Sequence, residues 1–175
     1  MSNLFNFLAY QVAWFAVILG AAHDYAWAGA VVALIVAAIH LSRRPALLEY
    51  KLIGAAVMLG LIVDTTLVMS GQVRFDANGV LPIAPYWMLS LWIAFATTLN
   101  HSLRWLMLRP ATAAVLGALG GPLAYFAGAR LGALSLSTPP AALALIAALW
   151  AAAMAVLSMM VSREAVPPNV HKVPA

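Results

Sequence analysis

Cysteine is missing altogether and charge nearly so: five acidic and nine basic side chains serve a chain of 175 residues. Without cysteine there is no disulfide and no thiolate to hold a metal. With 8 % of its residues charged, the chain cannot cover a water-facing surface, which takes roughly a quarter. What it has instead is hydrocarbon, 65 % of residues being hydrophobic and the mean hydropathy +0.97. A chain of this composition is built for lipid.

Apolar stretches of about 20 residues, wound as helices, match the ~30 Å hydrocarbon core and satisfy their own backbone groups. Six are predicted, over residues 4–22, 26–41, 46–70, 84–108, 111–133 and 139–161. The expected fold class is therefore all-α, a polytopic membrane helix bundle in one domain over residues 1–162. Residues 163–175, polar and proline-rich, are expected to form a disordered cytoplasmic tail carrying His171. The small residues before His23 resemble a signal-peptide cleavage point, but no Lys or Arg precedes them, so an uncleaved first span is expected.

An even number of spans leaves both ends on one side, and the basic residues choose which. With a cytoplasmic amino terminus, Arg43, Arg44, Lys51, Arg104, Arg109, Arg163 and Lys172 fall inside, and only Arg74 and Arg130 fall outside. The net charge of +4 then reads as a topology signal, with no nucleic-acid partner expected and membrane lipids as the surroundings. In the outer connection GQVRFDANGVLPIAP, Asn78-Gly79 predicts a tight turn, with Val73, Phe75, Val80 and Ile83 in a short hairpin around it.

A charged group at a helix centre costs about 2.5–3.5 kcal/mol on insertion scales. The third span nevertheless carries Asp64, beside Thr65 and Thr66, so this side chain is expected to face protein. Gly60, one turn earlier on the same face, lets a neighbouring helix come close. Matching depths predicts an outer polar group of Asp64, Arg130 and His23. His101 lies about 15 Å deeper at 1.5 Å per residue, giving a separate inner group of Asn100, His101 and Arg104. On a continuous helix Thr97, His101, Arg104 and Leu108 share one stripe. Asp64, His101, Asn100, Arg104, Arg130 and His23 are thus the candidate substrate or coupling residues. His23, His40, His101 and His171 show no i, i+4 pairing and there is no HExxH, so no metal and no cofactor is expected. No serine lies in a nucleophile elbow.

The fifth span is rich in small residues. Gly120, Ala124, Gly128 and Gly132 fall four apart with Gly117 and Gly121 alongside, a stripe suited to helix contact within the chain or to a homo-oligomer. Pro122 removes a donor from the helix interior and predicts a bend or break. Trp14, Ala16, His23 and Trp27 recur at one constant offset as Trp92, Ala94, His101 and Trp105, the spacing that an inverted repeat of three helices would give.

Pro85-Tyr86-Trp87-Met88, the run from Leu91 to Ala96, Ser102-Leu103-Arg104-Trp105-Leu106 and Gly121-Pro122-Leu123-Ala124-Tyr125, with Asn6, Tyr10-Gln11 and Trp14-Phe15, resemble an uncharacterised family of small bacterial inner-membrane proteins, a domain of unknown function. That resemblance implies a polytopic membrane protein, sometimes encoded beside fatty-acid-modifying enzymes, and carries over no catalytic residue. Two function classes fit: binding or transport of a small or lipid-like substrate, and a membrane-embedded enzyme or accessory factor in lipid modification. A structural scaffold is the third.

Overall fold

The computed structural model describes residues 2–75 and 82–165. Among them are seven helices, α1 Asn3–Ala22, α2 Ala26–Arg43, α3 Leu47–Met69, α4 Tyr86–Leu99, α5 Arg104–Met107, α6 Pro110–Arg130 and α7 Pro139–Ala165, and two short strands, β1 Val73–Phe75 and β2 Leu134–Leu136. Five helices, α1, α2, α3, α6 and α7, are long and apolar enough to cross a membrane. Their outward faces are hydrocarbon, with Phe5, Leu8, Val12 and Phe15 of α1 and Leu119 and Leu123 of α6 all exposed.

The helix at the centre is the shortest of the apolar ones. α4 packs against α1, α2 and α3 and touches α7, and most of its residues are buried. Its 14 residues rise about 21 Å, short of the bilayer core. Where the sequence predicts one span over 84–108, the chain breaks at 100–103 before the single turn of α5. The break has local causes. Thr97 and Thr98 turn their hydroxyls back onto the carbonyls of Ala94 and Phe95, each at 2.7 Å, which competes with the helical ladder. Asn6 of α1 then donates from Nδ2 to the carbonyl of Thr97 at 3.0 Å and accepts from Ser102 Oγ at 2.7 Å. Further on, Ser158 and Ser162 of α7 both donate to the carbonyl of Met107, at 2.6 and 3.0 Å. Irregular backbone at this depth survives because other helices supply its partners.

At the opposite end β1 pairs antiparallel with β2, Arg74 facing Ser135. Val73 and Phe75 thus pair with the connection between α6 and α7, while Val80, the other arm of the expected hairpin, lies outside the described residues. The Asn78-Gly79 turn lies outside the described residues, as do His171 and the tail beyond 165, while α7 runs past its predicted end at 161 to Ala165. Helix α6 is continuous through Pro122. The glycine stripe is divided: a Cβ on Gly121 would collide with the Trp150 ring and one on Gly117 would lie 2.6 Å from Met154, whereas Gly120 meets nothing within 4 Å. The inverted repeat gains no support from the packing. Helices α1 and α2 lie along one another, but α4 and α6, their counterparts under that symmetry, scarcely meet.

Candidate functional site

The structure gathers polar groups at two places, and neither is quite the set that the sequence predicts. Asp64 is fully buried, and Gly60 explains its company. A Cβ at Gly60 would run into the Trp92 ring; without one, the indole lies flat on α3 and donates from Nε1 to Asp64 Oδ2 at 3.0 Å. Tyr125 of α6 donates its hydroxyl to Oδ1. The expected partners are elsewhere: His23 is exposed and bonded through Nδ1 to the carbonyl of Leu19 at 2.9 Å, and Arg130 is exposed at the end of α6, about a turn and a half beyond Tyr125. Neutral indole and phenol donors, already at the right depth, fill the places assigned to cations.

The inner group is brought together, and two residues that sequence reasoning missed complete it. His40 stands in the last turn of α2 and Glu49 in the first turn of α3, where a basic and an acidic side chain each suit the local helix dipole. The short connection through Pro45 joins two helices that both pack on α4, and it brings the two side chains face to face. His40 donates from Nε2 to Glu49 Oε2 at 2.9 Å. Asn100, freed by the break after α4, donates from Nδ2 to Oε1 at 2.8 Å and accepts from Arg104 at its own Oδ1. His101 Nε2 lies 3.3 Å from Oε1 without the angle of a hydrogen bond, its ring edge-on to that of His40 at 4.7 Å. Glu49 and His40 are each 2 % exposed. A buried carboxylate without such neighbours would cost several kcal/mol. The stripe expected on a continuous helix is replaced by a cluster built on a broken one.

The ligand-capable atoms of His40, Glu49 and His101 all lie within 4.8 Å of one another. Sequence spacing offered no reason to expect this, since the three come from separate segments that converge in space. The detectable signal was a histidine and a glutamate flanking a proline turn between two predicted helices.

A furrow passes the donors to Asp64. Helices α1 and α6 scarcely touch, and the gap between them is floored by α4 and α7. Tyr10, Phe95, Ala124 and Trp150 are shared by its two halves; one reaches Leu134 at the start of β2, the other Leu103, two residues after His101 in the chain. Trp92 stacks on Trp150 with centroids 4.6 Å apart. Trp92 and Tyr125, the two donors to Asp64, line the furrow as well.

A family model, described as protein of unknown function (DUF2878), matches residues 3–156. The chain belongs to that family. Membership in DUF2878 covers the clusters, the furrow and every helix up to most of α7, so these features lie within the family's domain. Comparison with curated proteins and with solved structures finds no match.

Proposed function

We propose that this DUF2878 member is a six-span protein of the bacterial inner membrane, both ends cytoplasmic, that binds a lipid-like molecule in the furrow between α1 and α6, with transport ahead of chemistry. One observation carries this reading: an aromatic-lined gap between apolar helices, floored by the stacked Trp92 and Trp150. Acyl chains surround such helices, and rigid aromatic walls hold a flexible chain at little entropic cost of their own. The topology is supported by charge. Arg43, Arg44, Arg104, Arg109 and Arg163 share the end of the bundle that holds the first turn of α1, and Arg74 and Arg130 the other, as the positive-inside rule requires. The short central α4 fits a sixth crossing completed by the 100–103 break and α5. A second reading, chemistry on lipid, is favoured by the His40–Glu49–His101 cluster, close in the chain to the Leu103 end of the furrow.

The test is photo-labelling. A photoactivatable fatty acid, added to the purified chain in nanodiscs, should mark peptides containing Tyr10, Tyr125 and Trp150 preferentially. Ala124→Phe, which fills the furrow, should lower that labelling several-fold while leaving the protein monodisperse. Labelling spread evenly over the outward faces, and unchanged by the substitution, would refute the reading. Flux of the bound class into liposomes separates transport from retention or chemistry.

A further inference from the structure

We infer that His40, Glu49 and His101 form a binding site for a first-row divalent transition-metal ion. The donor set is two imidazoles and one carboxylate, which suits zinc with a fourth position left open, and equally iron or manganese. Each of the three side chains offers a donor atom within 4.8 Å of the others, close enough to converge on one ion. With metal–ligand bonds of about 2.0–2.1 Å, neighbouring donors of a tetrahedral centre stand about 3.3 Å apart. Here His40 Nε2 is 2.9 Å from one oxygen of Glu49 and His101 Nε2 is 3.3 Å from the other.

Two further observations point to an ion rather than to a simple hydrogen-bond network. His101 Nε2 is buried and makes no hydrogen bond although it stands beside a carboxylate. A nitrogen lone pair directed at the centre, as a ligand requires, would account for that. The three donors also come from three segments: the end of α2, the start of α3 and the break after α4. Asn100 holds Oε1 through its amide, orienting the carboxylate from outside in the way outer partners of metal ligands do. In the loaded form each coordinating nitrogen carries no proton, so binding displaces protons and weakens in acid. His101 keeps 15 % of its side chain exposed, which leaves a side from which the ion enters.

The site does not depend on the furrow's holding a lipid. The test uses the full chain without a histidine tag, stripped with chelator and titrated with Co²⁺ and Zn²⁺ in detergent. One equivalent should bind, Co²⁺ giving visible absorption bands of a low-symmetry nitrogen and oxygen site, and Zn²⁺ should raise the unfolding temperature. Glu49→Gln and His101→Ala should each weaken binding by about 100-fold or more, beyond the usual cost of losing an outer partner. If either variant misfolds, the absorption bands and the thermal shift of the unaltered chain still decide. No uptake by the unaltered chain overturns the inference, and so does uptake that both folded variants retain, which assigns the ion to surface groups.

Discussion

Asp64 and Glu49 hold the polar interior in place from opposite ends, and each works by accepting from neighbouring side chains. Asp64 takes the Trp92 indole and the Tyr125 hydroxyl. Asp64→Leu leaves both donors buried and unmatched, at about 1–3 kcal/mol each, so thermal unfolding in detergent should occur at clearly lower temperature, with the Trp92–Trp150 stack disturbed in the near-ultraviolet circular dichroism. Tyr125→Phe removes one bond and should lose less. Unfolding of the two variants at the wild-type temperature would mean that the carboxylate is not held as described. That Asp64 must face protein was legible from insertion cost alone. Its partners were not, because depth matching counted only charged groups, and an indole one helix away shows no polarity in a hydropathy pattern. Asn6 escaped for the same reason: nothing around it in the first span hints that its amide closes a break in the fourth.

Among the elements, close approach sets the packing. A Cβ on Gly29 would fall 2.5 Å from the carbonyl oxygen of Ala16, backbone that cannot swing aside, so Gly29→Ala should force α1 and α2 apart. Gly121→Ala should displace Trp150. Gly120→Ala, in open space, should be neutral or stabilising by up to about 1 kcal/mol, the helix preference of alanine over glycine. Chemical denaturation in mixed micelles ranks the three, and equal effects of Gly120→Ala and Gly121→Ala would contradict the division of the stripe. The sequence showed that small residues mattered in the fifth span. It placed the contact stripe on the Gly120 and Gly128 side as readily as on Gly117 and Gly121, since periodicity locates faces only relative to one another. The 84–108 stretch read as one helix because its hydrophobicity is continuous; the threonine back-bonding and the tertiary caps that interrupt it do not register as hydropathy.

For the molecule as a whole, lipid as the solvent followed from composition, and most helix bounds with it, because that constraint acts on every residue. Pairings between distant loops were out of reach. The β1–β2 ribbon joins the connection after α3 to the connection after α6, and a cysteine-free chain allows a clean check. Arg74→Cys combined with Ser135→Cys should oxidise to an intramolecular disulfide that shifts gel mobility, whereas either alone should not. In spheroplasts, the Arg74→Cys variant should react with an impermeant maleimide from outside and the Ser42→Cys variant should not; the reverse pattern would invert the proposed orientation.

The bond between Asn6 and Thr97 spans 91 residues, and this sets a schedule for biogenesis. A ribosome adding about 5–20 residues per second needs on the order of ten seconds to cover that distance. Until then the Asn6 amide of α1 lacks both the Thr97 carbonyl and the Ser102 hydroxyl, so that helix takes its final seat only after α4 and the break behind it have been made.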